Sequence, residues 1–154
     1  MKKSILAALA ACTLALPLAA QANEAENIAA ARQGYYKLMG LDMGALAAMA
    51  KGDVEYNAEA AKLHAANLVA LTGYSPKGLY APGTSNADIP GKTRALPAIW
   101  EDMAGVSAKG KAYHEALMEL AAVAGDGRAA LAPAVGKLGG TCKSCHDDYR
   151  AKDF

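Results

Sequence analysis

Cys142-Lys143-Ser144-Cys145-His146 is the stretch whose residue types and spacing point most directly to chemistry. On a helix, positions i, i+3 and i+4 share one face, so both thiols and the imidazole project the same way. Two thiols at that spacing can form thioethers with the two vinyl groups of one porphyrin, and the adjacent imidazole then reaches the iron. C-x-x-C-H is the spacing of c-type haem attachment, and a proximal histidine is a common haem-iron ligand. Two other chemistries use part of the pattern. C-x-x-C serves as a redox dithiol, usually near a βαβ unit, and no such alternation is visible here. It also forms half of a zinc site, which needs about four protein ligands. The other histidines of the mature chain, His64 and His114, stand alone, with no second C-x-x-C or H-x-x-x-H.

The chain that must position this motif has 154 residues, a length that suits one domain. It is 53% hydrophobic and 20% charged, and its 16 Lys+Arg against 15 Asp+Glu leave a net charge of +1. That balance gives no electrostatic footprint for nucleic acid. Alanine is abundant while β-branched residues and phenylalanine are scarce, which favours helix over sheet.

Residues 1–22 are expected to be a cleaved export signal: a basic Met1-Lys2-Lys3, an apolar run from Ile5 to Leu18, and an A-x-A site at Ala20-Gln21-Ala22. The mature protein then begins at Asn23. The run is too short for the ~20 apolar residues of a spanning helix, so no membrane span is expected. Leu9-Ala10-Ala11-Cys12 resembles a lipidation box, but apolar sequence continues past Cys12. Cleavage removes Cys12 and leaves only the two motif cysteines. Export to the periplasm suits c-type haem, whose thioethers are made outside the bacterial cytoplasm.

Residues 24–51 read as a long helix, with Ile28, Tyr35, Tyr36, Met39, Met43, Leu46 and Ala50 on one stripe. Arg32 interrupts that stripe. A charge there needs a partner or access to water, and a haem propionate would suit its planar fork; Gln33 can add a hydrogen bond. Lys51-Gly52-Asp53 is a turn, and Asn57 caps a second helix from Ala58 to about Thr72. His64 on that helix reads as a surface or interface residue. Residues 73–96 form a long Gly- and Pro-rich connection. Leu79 and Tyr80 indicate that part of it folds onto the core, and Lys92, Thr93 and Arg94 can offer polar contacts to a haem edge. Pro97 starts a helical stretch that runs to about Ala124, with an interruption expected near Gly105 or Gly110 and a stripe of Met103, Val106, Tyr113, Leu117, Leu120 and Ala124. Trp100 reads as core or pocket wall and His114 as solvent-facing. In the last segment Leu131, Val135, Leu138, Cys142, Cys145 and Tyr149 step by four and three, a heptad-like seam that turns both cysteines inward. Pro133 has no N–H to give, so the last helix is expected to begin near it or to kink there.

Four amphipathic segments, a long middle loop and a late C-x-x-C-H resemble the cytochromes c′, the class II c-type cytochromes. The specific likeness lies in Arg32 to Met39, in Leu79-Tyr80-Ala81-Pro82-Gly83-Thr84, and in Cys142 to Arg150. The resemblance implies an all-α antiparallel four-helix bundle over residues 23–154 with one haem c thioether-linked through Cys142 and Cys145. It implies His146 as the only strong axial ligand, Arg32 and Gln33 as propionate contacts, Tyr36 as cover for the vacant distal face, and Arg150 as the basic residue near the proximal histidine. It also implies a homodimer paired through the first two helices.

The expected function is that of a non-enzymatic periplasmic haem protein with five-coordinate iron. It would bind nitric oxide and carbon monoxide, pass single electrons, or both, with a redox partner the sequence does not name. The alternative is a six-coordinate electron carrier with Met39 or Met43 as distal ligand. A peroxidase would need a positioned acid–base group above the iron, and none is seen near Tyr36. A helical interaction module without haem is the remaining alternative.

Overall fold

The computed structural model describes residues 15–154, with side-chain burial from Asn23 onward. Residues 1–14 of the expected leader lie outside the described residues. The long helices are α1 (Ala15–Lys51), α2 (Ala58–Thr72), α4 (Met103–Val123) and α5 (Arg128–Tyr149). A 3₁₀ turn, Pro76–Tyr80, and a short helix α3, Ala98–Glu101, lie between α2 and α4. The helical backbone of α1 runs through the expected cleavage point after Ala22. α1 packs on α2, α2 on α4, α4 on α5 and α5 back on α1, which closes an antiparallel four-helix bundle.

The ends of these helices follow from local chemistry. The Asn57 side chain accepts a hydrogen bond from the Ala60 amide at 2.8 Å, satisfying one of the free N–H groups at the start of α2. Gly52 turns the chain with φ +85°, a conformation natural to glycine. The Arg128 guanidinium closes over that turn, donating to Ala50 O at 3.1 Å and Lys51 O at 2.6 Å, and ties the end of α1 to the start of α5. A Cβ on Gly52 would come 2.6 Å from that guanidinium.

Two expectations are corrected. The break in the stretch after Pro97 falls at Asp102, not at Gly105 or Gly110. Asp102 leaves helical geometry at φ −130°, ψ 60°, and its carboxylate caps α4 by accepting from Gly105 N at 2.8 Å. The phase of the stripe shifts with it: Met103 is exposed, while Leu117, Leu120 and Ala124 are fully buried. α5 does not begin near Pro133; it starts at Arg128 and carries Pro133 inside it. Pro133 and Ala129, whose carbonyl loses its intrahelical donor, are both exposed, so water can take that bond.

The main core is aliphatic. Leu46, Leu68, Leu117, Leu120, Leu131 and Leu138 are fully buried with Ala61, Ala65, Ala116 and Ala124 around them. Each such leucine contributes roughly 2 kcal/mol by leaving water. A second, smaller cluster gathers Ala95, Ile99 and Tyr149 with Tyr80, Trp100, Val106 and Cys145.

Candidate haem site

Cys142 and Cys145 lie on α5 as free, half-buried cysteines, and His146 follows them with much of its surface open and its ring partly desolvated. Burial is the main cause that raises both thiols above their ordinary pKa. Among the described residues no three His, Cys, Asp or Glu side chains come together as metal ligands. His64 is committed to Asp42 at 2.8 Å, and His114 is exposed. Burial, and then the charge of Arg94, lower the pKa of His146, which keeps the imidazole neutral and able to ligate.

Opposite Cys145 stands a pair of phenols. The Tyr36 and Tyr80 hydroxyls meet at 2.6 Å. Burial raises the pKa of both, and each also feels Cys145, which places the pair on the thiols' side of the bundle. Tyr36 is carried by α1 and Tyr80 by the 3₁₀ turn.

Arg32, one helical turn before Tyr36, is 4% exposed. Its Nη1 donates to Leu79 O at 2.9 Å and Thr84 Oγ1 at 3.0 Å, and its Nη2 to Thr84 O at 2.7 Å and Thr93 Oγ1 at 3.0 Å. The Tyr80 and Trp100 rings flank the guanidinium at 5.6 and 5.8 Å. Thus most of its donors serve the long connection, and Arg32 is the anchor that folds that segment onto α1. The acceptors are all neutral: among the described residues no carboxylate pairs with this buried cation. A second loose end lies near the thiols. Among the described residues the buried Tyr113 hydroxyl has no hydrogen-bond partner, and Cys142 raises its pKa further after burial has done so. A buried cation without an anion and a buried hydroxyl without an acceptor fit a flat group with anionic edges seated beside Cys142 and Cys145.

The other expected site residues divide. Gln33 Nε2 donates to Lys92 O at 2.6 Å, and Thr93 is buried under Arg32. The Lys92 amine is engaged by Glu26 at 3.0 Å. Met39 and Met43 are partly buried and pack against the aliphatic bundle core. Arg150 is exposed at the end of α5 and bridges Ala95 through its backbone. Arg94 donates to Lys152 O at 2.7 Å and lies 5.6 Å from the Phe154 ring, so it holds the C-terminal residues. Sequence reasoning missed Thr84 as an Arg32 partner, although it closes the quoted Leu79-to-Thr84 stretch. It also missed the Tyr149 hydroxyl, which donates to Asp102 Oδ2 at 2.7 Å, and Trp100 Nε1, which donates to Tyr80 O at 3.0 Å. An aspartate, a favoured N-cap residue, just ahead of a helical stretch was the readable signal for Asp102.

A C-x-x-C-H helix packed into a four-helix bundle, with phenols facing the thiols, defines a c-type haem protein of the bundle class. The family model described as "Cytochrome C′" matches residues 27–150, and the chain belongs to the cytochrome c′ family. It is 55% identical to the cytochrome c′ of Cereibacter sphaeroides over 152 residues, covering 99% of each chain. The solved cytochrome c′ from Rhodobacter Spheriodes superposes with a TM-score of 0.81 at 57% identity, covering 83% of this chain and 98% of that one. A cytochrome c′ described by its unusual ligand-controlled dimer dissociation is 35% identical, with TM-score 0.75 over 83% of this chain and 97% of that one. A ferrous variant of cytochrome c prime from Alcaligenes xylosoxidans, solved with bound NO, is 30% identical, with TM-score 0.72 over 84% of this chain and 97% of that one. Membership of the family carries a covalently bound c-type haem. No described helix is long and apolar enough to cross a membrane.

Proposed function

We propose that one haem c is held through thioethers from Cys142 and Cys145, with His146 as the sole protein ligand to a five-coordinate iron. The protein then binds small diatomic gases, nitric oxide and carbon monoxide, and exchanges single electrons. The observation that carries this reading is that Cys145 and Tyr80 pack on one cluster and the Tyr36 hydroxyl meets that of Tyr80. Bound there, the haem supplies an iron that can take a diatomic molecule or change its charge by one. The chain's own residues do the rest. α5 presents the thiols and the imidazole from one side. Arg32, anchored by neutral acceptors, keeps a positive charge available to a propionate. Tyr36 and Tyr80 fill the opposite side with rings and with hydroxyls held protonated, which favours a small neutral guest.

Protonated phenols are poor general bases near neutral pH, so the reading is a binding and electron-transfer protein rather than a peroxidase. Met39 and Met43, packed in the bundle core, favour five-coordinate over methionine-ligated iron. The export signal expected at residues 1–22 supports a periplasmic location. Exposed Leu38 and Leu41 on α1 and Leu63 on α2 support a homodimer through those two helices, as does the dimer of the 35% identical relative. Absorption spectra of the oxidised and reduced protein, with and without nitric oxide, test the reading. Five-coordinate high-spin spectra that change on adding nitric oxide are expected; a strong methionine–iron charge-transfer band in the oxidised protein would overturn it.

A further inference from the structure

We propose that the Tyr80 hydroxyl is a latch: it holds Tyr36 over the haem face, so that Tyr80, a residue on the long connection, sets the rate at which a gas enters. This rests on the haem reading above. The two members of the pair are held very differently. Tyr80 is pinned through its backbone on both sides. Leu79 O receives Arg32 Nη1 at 2.9 Å, and Tyr80 O receives Trp100 Nε1 at 3.0 Å. Its ring is also covered by the Arg32 guanidinium at 5.6 Å. Tyr36 hangs from α1, is 44% exposed, and meets the Tyr35 ring only edge-on at 5.4 Å. Among the described residues its hydroxyl has one hydrogen bond, the 2.6 Å contact to Tyr80.

The consequence is mechanical. Arg32 and Tyr36 are one helical turn apart on α1 and grip the same 3₁₀ turn at two points. The Arg32 grip comprises four hydrogen bonds to residues from Leu79 to Thr93, and it holds Tyr80 in place when Tyr36 moves. Tyr36 can therefore swing aside by breaking a single phenol–phenol hydrogen bond, with no rearrangement of the loop. Besides ring packing, the closed state is held by one hydrogen bond, and that bond belongs as much to Tyr80 as to Tyr36.

Tyr80→Phe keeps the ring and its contact with Arg32 and deletes only the hydroxyl. Carbon monoxide association with the reduced haem-loaded protein should become about fivefold faster, the worth of one neutral hydrogen bond. Tyr36→Phe should match it, and the double variant should be no faster than either single one, because all three remove the same bond. Ultraviolet resonance Raman of the unliganded protein gives a separate readout, in which the tyrosine hydrogen-bonding marker shifts in Tyr80→Phe. An unchanged association rate in Tyr80→Phe with a faster one in Tyr36→Ala would overturn the latch and leave gas binding standing. Wild-type protein that takes up neither carbon monoxide nor nitric oxide would instead remove the gas-binding reading. The Raman marker then decides the hydroxyl pair alone, and a marker unmoved by Tyr80→Phe sinks it.

Discussion

The aliphatic half of the bundle and the half that holds the thiols are stabilised by different physics. In the first, leucines and alanines of α1, α2, α4 and α5 are buried against each other, and the attraction is non-directional. In the second, Arg32, Thr84, Ser85 and Thr93 are buried polar residues, with Tyr80, Trp100 and Tyr149 among them. Directional bonds there fix a segment that has little regular structure. The difference teaches that the bundle can be built by packing alone, whereas a site on a long connection must be tied down donor by donor.

Substitutions in the two halves should differ in effect, from total loss of haem to a narrow pH dependence. Replacing both Cys142 and Cys145 with serine should abolish covalent haem, and mass spectrometry of the exported protein should then give the mass of the bare chain. Leu120→Ala, at a fully buried position, should cost about 3 kcal/mol in urea unfolding while leaving the absorption spectrum of the loaded protein unchanged. Arg32→Ala should cost about 2 kcal/mol, since it strands buried acceptors at Thr84 and Thr93. Unlike the leucine change, it should also open residues 76–96 to limited proteolysis before the bundle melts.

The smallest effect concerns Asp102 and Tyr149. The Tyr149 hydroxyl, first, and the Gly105 amide hold the Asp102 carboxylate below its ordinary pKa. A carboxylate with a depressed folded pKa adds stability above the unfolded value, near 3.9, and that stability is lost as pH falls through the folded value. Tyr149→Phe removes the larger of these two hydrogen bonds. The variant should therefore lose less stability than wild type between pH 5 and pH 2, and equal acid sensitivity in urea titrations at the two pH values would contradict the assigned cause. The reciprocal effect is seen on Tyr149, whose own pKa is pushed up to about 12, chiefly by the Asp102 hydrogen bond.

The helical architecture and the attachment motif were legible because both are local. The four-three steps from Leu131 to Tyr149 recur within one helix, and buried Leu131, Val135, Leu138 and Tyr149 follow them. Asn57, Gly52 and Gly73 marked boundaries that the structure reproduces within the same residues. The break at Asp102 was misplaced because two glycines outweighed a capping aspartate whose second partner, Tyr149, is 47 residues away.

Residue types and their spacing along the chain pointed to c-type haem chemistry, since a C-x-x-C-H run is read without knowledge of any other segment. They also marked Arg32 as anomalous, because a charge on an apolar stripe violates the pattern wherever the stripe ends up. Only the folded molecule decided what Arg32 does. Its partners lie 47 to 61 residues further on, and no periodicity encodes which loop carbonyl meets which helix. The pairing of Tyr36 with Tyr80 across 44 residues is of the same kind: it follows from where α1 and the 3₁₀ turn are pressed together, and packing, not sequence order, sets that meeting.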